Sequence, residues 1–270
     1  MSDKIELIKY DILSNVQHCF TTRTGGVSLG GQKSLNLSFS REASAENVRE
    51  NYRRVANELG VDYTKMTRVP QKHTDHVLIV KEEHTGIGIS KAFPEGFMDY
   101  GYDAMITNVP GIVLCTSHAD CVPVFLYDEV HNVVGAVHSG WRGTAKKISL
   151  NVVNAMLSEF DSSPGQIKAV IGPSIGIDKF ECDKDVFDAF SESFERDFAE
   201  LSSRYIYKKG AKFHISVSGF VYQTLIEAGV AANNIYKDTR CTFENESMFF
   251  SHRRDKGDTG VMAAVIKVYE

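Results

Sequence analysis

The 270-residue sequence has no long apolar run, and charged residues at Lys4, Glu6, Lys9 and Asp11 interrupt its amino-terminal segment. No stretch approaches the roughly 18 consecutive apolar residues that a membrane-spanning helix needs. The amino terminus also lacks the apolar centre of a secretory signal peptide. We therefore expect a cytoplasmic protein that makes no membrane contact.

Cysteine is scarce, and its spacing shows no pairing. The chain has five cysteines, none of them in a CxxC pair. An odd number of thiols in a chain of this length argues against a disulfide framework. We expect no disulfide, and most of these thiols should be small buried side chains. The five are Cys19, Cys115, Cys121, Cys182 and Cys241.

An excess of positive charge is also missing. The chain has 30 Lys and Arg against 35 Asp and Glu, a net charge of -5, so it has no general attraction to nucleic acid. An anionic substrate must therefore be held by a local cluster of basic side chains. The composition, 43% hydrophobic and 24% charged, is that of a globular protein. Because the sequence has no repeat or linker, we expect one domain over residues 1–270. The sequence does not determine the oligomeric state.

The apolar pattern predicts both helices and strands. Ser44 should cap a helix that Gly60 stops, and Thr144 should cap another. Apolar residues every four positions from Val186 to Phe198 predict one amphipathic helix. Residues 82–101 are expected to form a surface loop. Further elements are expected as strands at 16–22, 77–80, 104–107, 112–117, 122–127, 133–138, 168–171 and 263–268, and a helix at 217–228. Because the strands cluster, we favour an α+β fold over a doubly wound parallel sheet.

Polar residues stand at the ends of several predicted strands, where sites are usually built. His73, Cys121 and His138 offer imidazole and thiolate, which suit zinc, and three protein ligands leave a fourth position for water or substrate. The plainer interpretation is that the histidines are hydrogen-bonded at strand ends and that Cys121 is a core thiol. His76 with His73, and His118 with Cys121, are rival ligand pairs.

Two charged residues lie beside these ligands in the sequence. Asp120 can orient a ligand imidazole or accept a proton, or it simply caps the turn. Arg142 follows a Gly-Trp pair at a predicted helix start, where backbone amides and a guanidinium favour an anion. The alternative for Arg142 is an ion pair with a surface carboxylate.

Short motifs spread over nearly the whole chain occur together and in a specific order. They are TRTGGVS at 22–28, SLNL at 34–37, QKH at 71–73, ADCVPV at 119–124, HSGWRG at 138–143 and GPSIG at 172–176, followed by CT at 241–242 and FFSHRRD at 249–255. In this combination the chain resembles the multicopper polyphenol oxidase or laccase-domain family.

The resemblance implies a zinc-dependent purine nucleoside phosphorylase. Members of the family are described as splitting adenosine, guanosine, inosine and methylthioadenosine with phosphate, and as deaminating adenosine. The family's metal ligands fall on His73, Cys121 and His138. Its fold is a single-domain α+β sandwich of mixed β-sheets flanked by helices.

The chain departs from the family pattern near the expected site. Lys72 and Thr74 flank the first metal ligand where Val and Gly are usual. His252 stands where Tyr is common, which adds a proton donor or a further metal ligand. Val261 occupies the position of a frequent family Arg. If that Arg contacts substrate in relatives, its task is unfilled here or passes to Arg253 or the next residue.

Phosphorolysis needs a phosphate held beside the anomeric carbon, and charge-assisted contacts from arginine suit this dianion. The candidate phosphate ligands are Arg23, Arg142 and Arg253. Asn36 can hydrogen-bond the ribose or the base. For deamination, a zinc-bound water with a pKa of about 7 is the expected nucleophile, and Asp120 or Glu181 is the expected proton carrier.

Other functions stay open from the sequence. Phenol oxidation by copper is one, although none of the nine histidines forms the His-x-His pair of a multicopper centre; two His and one Cys can still take one copper. A metal-free hydrolase would use Cys121 as nucleophile and His138 as base. A structural zinc module is disfavoured because such sites normally have four protein ligands. Hydrolysis of a cell-wall aminoacyl-sugar precursor is a further alternative.

Overall fold

A computed structural model describes residues 4–268 of the chain, so the outermost ends of the expected domain 1–270 lie outside the described residues. The strands are β1 (Leu7–Ile8), β2 (Gln17–Thr21), β3 (Met66–Arg68), β4 (Val77–Ile79), β5 (Ala104–Thr107), β6 (Val113–His118), β7 (Val122–Asp128), β8 (Val133–Ser139), β9 (Lys168–Ile171), β10 (Glu181–Cys182), β11 (Ile206–Lys209), β12 (Lys212–Ile215), β13 (Ile235–Lys237) and β14 (Met262–Lys267). The helices are α1 (Ala45–Leu59), α2 (Phe97–Tyr100), α3 (Trp141–Ala145), α4 (Ile148–Phe160), α5 (Lys184–Ser193), α6 (Phe198–Tyr205) and α7 (Val217–Glu227).

Two large mixed sheets form a sandwich. One has the strand order β1-β2-β14-β6-β3, and the other has the order β13-β9-β7-β8-β5-β4. Most neighbours are antiparallel, but β3 with β6, β4 with β5 and β9 with β13 are parallel. Side chains of both sheets, among them Phe20, Leu114, Phe125 and Ala136, share one buried core between them. A small third sheet has the order β10-β12-β11.

Helices cover the outer faces of the sandwich because the strands bury side chains on both faces. On β7, Phe125 points into the core between the sheets, whereas Val124 and Leu126 pack outward with residues of α4 and α7. This is the two-residue alternation of a strand. On the other side, α1 packs against Cys115 of β6. The predicted α+β sandwich of mixed sheets flanked by helices is therefore confirmed.

The predicted helix boundaries are partly right. The Ser44 side chain accepts a hydrogen bond from the Asn47 N–H at the start of α1, and Gly60 ends that helix with a left-handed φ of 73°. The prediction that Thr144 caps the next helix is wrong. Thr144 lies inside the short helix α3, and α4 starts after Lys147, which has a φ of 57°. The chain turns helical earlier than expected, directly after Gly140.

The amphipathic helix predicted from Val186 to Phe198 is two helices. Helix α5 ends at Ser193, and α6 begins at Phe198. Phe190 and Phe194 nevertheless pack on the same ring, that of Phe220, with centroids 4.5 and 5.0 Å away. The four-residue spacing therefore reflects a shared core rather than one continuous helix.

The remaining predicted strands are present within one or two residues of their predicted ends. Six short strands, two to four residues long, were not predicted from the sequence: β1, β3 and β10 to β13. The predicted loop at 82–101 contains a 3-10 turn, Glu82–His84, and helix α2. Among residues 4–268, no helix is long and apolar enough to cross a bilayer.

Candidate metal centre and adjoining cavity

Three segments meet at one edge of the six-stranded sheet. Cys121 immediately precedes β7, and His138 is the second-last residue of β8, opposite Pro123 in the antiparallel ladder. His73 lies in the loop that leads into β4. The strand register thus brings together residues that are far apart in the sequence.

The ligand atoms of His73, Cys121 and His138 all lie within 4.8 Å of one another. Sγ of Cys121 is 3.7 Å from Nε2 of His73. His73 is exposed, Cys121 is half-buried and His138 is buried, so one side of the group is open. Within residues 4–268, this is the group of His, Cys, Asp and Glu side chains close enough to hold a metal ion.

The local charges favour a thiolate. Burial by itself raises the pKa of Cys121, but the charge of His138 and hydrogen bonds from both histidines outweigh it and bring that pKa down to about 6. Burial lowers the pKa of His138, yet the Cys121 thiolate and the Asp103 carboxylate raise it to about 10. The metal-free group therefore holds a thiolate beside a protonated His138, and a bound metal would take the place of the His138 proton that faces Cys121. With that proton displaced, the environment suits a metal site.

Asp103 is a buried residue of this site that the sequence analysis missed. Its Oδ1 lies 2.7 Å from Nδ1 of His138. Burial alone would raise the pKa of Asp103, but the hydrogen bond and charge of His138 and the donors of Thr74 lower it to about 2. An acidic residue directly before the apolar strand β5 was the signal that could have found it.

The two rival ligands, His76 and His118, are not part of this group. Nδ1 of His76 lies 3.0 Å from the Gly101 carbonyl, and its ring stacks on Tyr100. His118 has Nδ1 3.2 Å from the Cys121 carbonyl and Nε2 2.8 Å from the Thr116 hydroxyl. Burial also holds the pKa of His118 well below its usual value. Both rings are therefore engaged with the protein itself.

A cavity of about 410 Å³ opens beside the three residues. Of the other residues singled out from the sequence, it brings in Asp120, His252, Arg253 and Val261, whereas Arg23, Asn36, Arg142 and Glu181 are not among its lining residues. Its walls are formed by Ser38, Ser40, Arg41, Arg68, Gln71, His73, Ser117, Ala119, Asp120, Cys121, His138, Trp141, Ile175, Phe180, His252, Arg253 and Val261.

Asp120 joins several loops at the cavity wall. Its Oδ1 accepts from the Thr242 hydroxyl at 2.6 Å, and its Oδ2 accepts from the Arg253 N–H at 2.7 Å. Its carbonyl accepts from the Ile175 N–H. Both carboxylate oxygens are thus engaged, and the backbone has a φ of 86°. These contacts give Asp120 a role in positioning loops.

Arg23 and Asn36 hold the chain next to the cavity. The Arg23 guanidinium donates to the carbonyls of Lys33 and Glu246 and lies 4.7 Å above the Phe250 ring. The fully buried Asn36 side chain donates to the Ser38 carbonyl and accepts from the backbone N–H groups of Ser38 and Val261. The side-chain hydrogen bonds of both residues are therefore made to the protein backbone.

Arg142 and Glu181 also lie away from the cavity lining. Arg142 is exposed, with its guanidinium 4.3 Å from the centre of the Trp141 ring. The Glu181 carboxylate is exposed and 3.8 Å from His214. The Glu181 carbonyl, however, accepts from Nη1 of Arg253 at 2.9 Å, so its backbone helps to place that arginine.

Two arginines in the wall were missed by the sequence analysis. Arg41 donates from Nη1 to the carbonyls of Gly257 and Thr259, and its Nη2 lies 3.2 Å from Nδ1 of His252. Arg68 donates from Nε to the Gly88 carbonyl. No local pattern separates these arginines from others in the chain; only packing across distant segments brings them here.

Residues 17–269 of this chain match the family model for multi-copper polyphenol oxidoreductase laccase. The chain belongs to this family. A laccase-family relative from Bacteroides thetaiotaomicron, named purine nucleoside phosphorylase, is 33% identical over 89% of this chain and 87% of its own length. The Bacillus subtilis purine nucleoside phosphorylase YlmD is 32% identical over 93% of this chain and 88% of its own length.

Two solved structures share the fold. The hypothetical protein YfiH of Bacillus licheniformis aligns with a TM-score of 0.88 at 30% identity, covering 99% of this chain and 97% of its own. YlmD from Geobacillus stearothermophilus aligns with a TM-score of 0.84 at 28% identity, covering 97% and 94%. The Bacteroides and Bacillus subtilis relatives bear the names of enzymes, and the chain is an enzyme of this laccase family.

Proposed function

We propose that the chain is a zinc-dependent purine nucleoside phosphorylase that acts in the cytoplasm and whose residues 1–270 form one domain. Its substrates are inorganic phosphate and the nucleosides adenosine, guanosine, inosine and methylthioadenosine, and it also deaminates adenosine. The names of the Bacteroides and Bacillus relatives support the phosphorylase activity. The individual nucleosides and the deaminase activity follow from the family resemblance.

His73, Cys121 and His138 are the proposed zinc ligands. Two imidazoles and a thiolate are donors that zinc prefers, and three protein ligands match a catalytic site with one open position. Copper is the alternative metal for the same donors. When bound, such a metal supplies a Lewis acid and lowers the pKa of a bound water to about 7. The exposed side of the group faces the cavity, where a nucleoside can reach it.

Arg41 and Arg253 are the proposed phosphate contacts. Both line the cavity, and Asp120, whose two oxygens already accept hydrogen bonds, is the acidic residue among the lining side chains. A guanidinium makes charge-assisted hydrogen bonds to phosphate oxygens. The cavity volume falls within the range of ordinary small-molecule sites. Arg23, Asn36 and Arg142 are less well placed for direct contact with substrate.

His252 is the proposed hydrogen-bond donor to the departing purine. Arg41 can only donate hydrogen bonds, so its Nη2 contact makes Nδ1 of His252 the acceptor and leaves the proton on Nε2. A neutral imidazole in this tautomer can donate a hydrogen bond from Nε2 to a ring nitrogen of the base and so stabilise the negative charge that develops there. Asp120 and Glu181 stay as weaker candidates for proton transfer. Both carboxylate oxygens of Asp120 already accept hydrogen bonds, and Glu181 is not among the residues that line the cavity.

The observation that supports the phosphorylase proposal is the metal group, formed by His73, Cys121 and His138, beside a cavity lined by arginines. The test is incubation of inosine, guanosine or adenosine with the purified protein, with and without inorganic phosphate. We expect free base and ribose 1-phosphate only with phosphate, because positioned arginines raise its effective concentration at the anomeric carbon. Adenosine should yield inosine without phosphate. A Cys121→Ser preparation, purified identically, controls for contaminating enzymes.

Three results would contradict the proposal. Base release at equal rates with and without phosphate indicates a hydrolase. Copper-dependent oxidation of a phenol without nucleoside turnover indicates the oxidase that the family's description names. The oxidase is less well supported because the described part of the chain assembles one such ligand group, whereas a multicopper centre needs several. Failure to turn over any nucleoside contradicts the proposal and favours the cell-wall precursor.

A further inference from the structure

One buried carboxylate contacts both histidine segments of the metal group. Oδ2 of Asp103 accepts hydrogen bonds from the backbone N–H of Lys72 at 3.0 Å and of Thr74 at 2.6 Å, and from the Thr74 hydroxyl at 2.9 Å. Oδ1 of the same residue accepts from Nδ1 of His138 at 2.7 Å. The Asp103 side chain is fully buried, so these four donors compensate for the loss of water.

His73 lies between the two backbone donors and has an unusual backbone conformation. Its φ of 59° is in the left-handed region, which disfavours residues other than glycine. Such a conformation costs about 1 kcal/mol or more unless neighbouring contacts enforce it. The convergence of the Lys72 and Thr74 N–H groups on one oxygen supplies that enforcement.

The backbone of Asp103 is fixed independently of its side chain. Its N–H donates to the His76 carbonyl at 3.1 Å, and its carbonyl accepts from the His138 N–H at 2.7 Å. These bonds extend the β4–β5 and β5–β8 ladders. A change confined to the carboxylate therefore leaves the strand register in place.

We propose that Asp103 is a positioning residue that sets both the backbone of His73 and the tautomer of His138 for metal binding. By accepting the Nδ1 proton of His138, the carboxylate leaves the Nε2 lone pair available to the metal. The inference rests on the metal group of the proposed function, but it does not depend on which reaction that group performs.

Asparagine at position 103 separates this role from simple space filling. If the amide oxygen keeps the Lys72 and Thr74 donors, the NH₂ group faces Nδ1 of His138 and requires the tautomer with its proton on Nε2. If the amide is flipped, the NH₂ group opposes two backbone N–H donors. Either arrangement keeps the volume and damages one histidine ligand.

The experiment measures metal binding of full-length Asp103→Asn protein by competition with a zinc chelator. We expect zinc affinity to fall by about 10- to 100-fold, as for other partners of metal-ligating histidines. The thiolate-to-cobalt absorption band of the cobalt-substituted protein should shift, because one imidazole is lost or reoriented. Wild-type zinc affinity together with a wild-type cobalt spectrum would overturn the proposal.

Asp128→Asn is the matched control. Asp128 is also fully buried, accepts from Nδ1 of His131 at 2.8 Å and accepts from the N–H groups of Val130 and His131. It ends β7, about 20 Å along the strand from Cys121 at ~3.3 Å per residue. This variant suffers the same chemical change and should bind zinc as wild type. An equal loss of affinity in both variants would make the effect a general one and contradict the proposal.

Thr74→Val tests the same contact if Asp103→Asn does not fold. The change removes one donor to the Asp103 carboxylate with little change in shape. Loss of one such hydrogen bond, about 0.5–1.5 kcal/mol, corresponds to a two- to tenfold loss of zinc affinity. Unchanged affinity in Thr74→Val would count against the proposal. Zinc affinity and the cobalt spectrum are measured without nucleosides. These results therefore test the role of Asp103 even if the phosphorylase assay fails.

Discussion

Gly140 lies directly against the imidazole of His73. A Cβ added to Gly140 would be 2.6 Å from Cδ2 of His73 and 3.2 Å from Sγ of Cys121. The φ of Gly140 is −70°, which any residue can adopt. A glycine is therefore required between β8 and α3 because a larger residue would have no space beside the side chains of His73 and Cys121. The backbone conformation does not require it.

Replacement of Gly140 by alanine should disrupt the metal group. The methyl group must displace the His73 ring or the Cys121 thiol, so we expect at least a tenfold loss of zinc affinity with the fold retained. Elemental analysis and a chelator titration measure this. Gly165→Ala is the control, since a Cβ there meets nothing within 4 Å. Full zinc binding by Gly140→Ala would show that the ring moves without consequence.

Cys121→Ser should lose most of the metal. Wild-type protein should carry about one zinc per chain, and a neutral hydroxyl is a poor substitute for a thiolate ligand. Cys182→Ser is the control, because Cys182 is buried elsewhere and its thiol donates to the Phe213 carbonyl. Both proteins are analysed for zinc after dialysis. A fully loaded Cys121→Ser protein would mean that another residue is the thiol ligand.

Arg41→Ala should raise the KM for phosphate more than the KM for nucleoside. A lost hydrogen bond to a charged group, about 1.5–3 kcal/mol, predicts a 10- to 100-fold rise. Arg142→Ala should leave both constants within about twofold, because Arg142 is exposed and stacks on Trp141 outside the cavity lining. Steady-state kinetics with each substrate varied provide the test. The reverse ranking would restore Arg142 as the phosphate contact.

Asp238→Asn should destabilise the fold, most strongly near neutral pH. Burial raises the pKa of Asp238, but hydrogen bonds from Arg240, its charge and the Tyr10 hydroxyl lower that pKa below its usual value. A carboxyl with a lowered pKa stabilises the folded state above its unfolded pKa of about 3.9 and loses this contribution as the pH falls below it.

We expect Asp238→Asn to lose about 1–3 kcal/mol of unfolding free energy at pH 7 and less at pH 3.5. Urea denaturation at both pH values measures the difference. Asp188→Asn, in an exposed pair with Lys184, should change stability little. A loss that is the same at both pH values would exclude the ionised carboxylate as its source.

Local patterns in the sequence were sufficient to predict the helices and strands that bury one continuous face. The cap at Ser44 and the stop at Gly60 define α1 from short-range chemistry alone. The same kind of reasoning failed from Val186 to Phe198, because residues of two separate helices, α5 and α6, share one apolar core and together continue a four-residue repeat. Short strands such as β10 depend on a partner strand and leave no periodic signal of their own.

The sequence by itself supplied the candidate metal ligands, because side-chain chemistry together with the family motifs points to His73, Cys121 and His138. The structure showed that their ligand atoms lie close together, whereas His76 and His118 bond elsewhere. Tertiary structure alone decided what surrounds the three ligands. Asp103 reaches His138 because β5 pairs with β8, and Arg41 meets His252 although 211 residues separate them. Such neighbours are set by sheet register and loop packing, which sequence spacing does not encode. For this reason Arg41 lines the cavity, whereas Arg142, adjacent in sequence to a cavity residue, lies outside its lining.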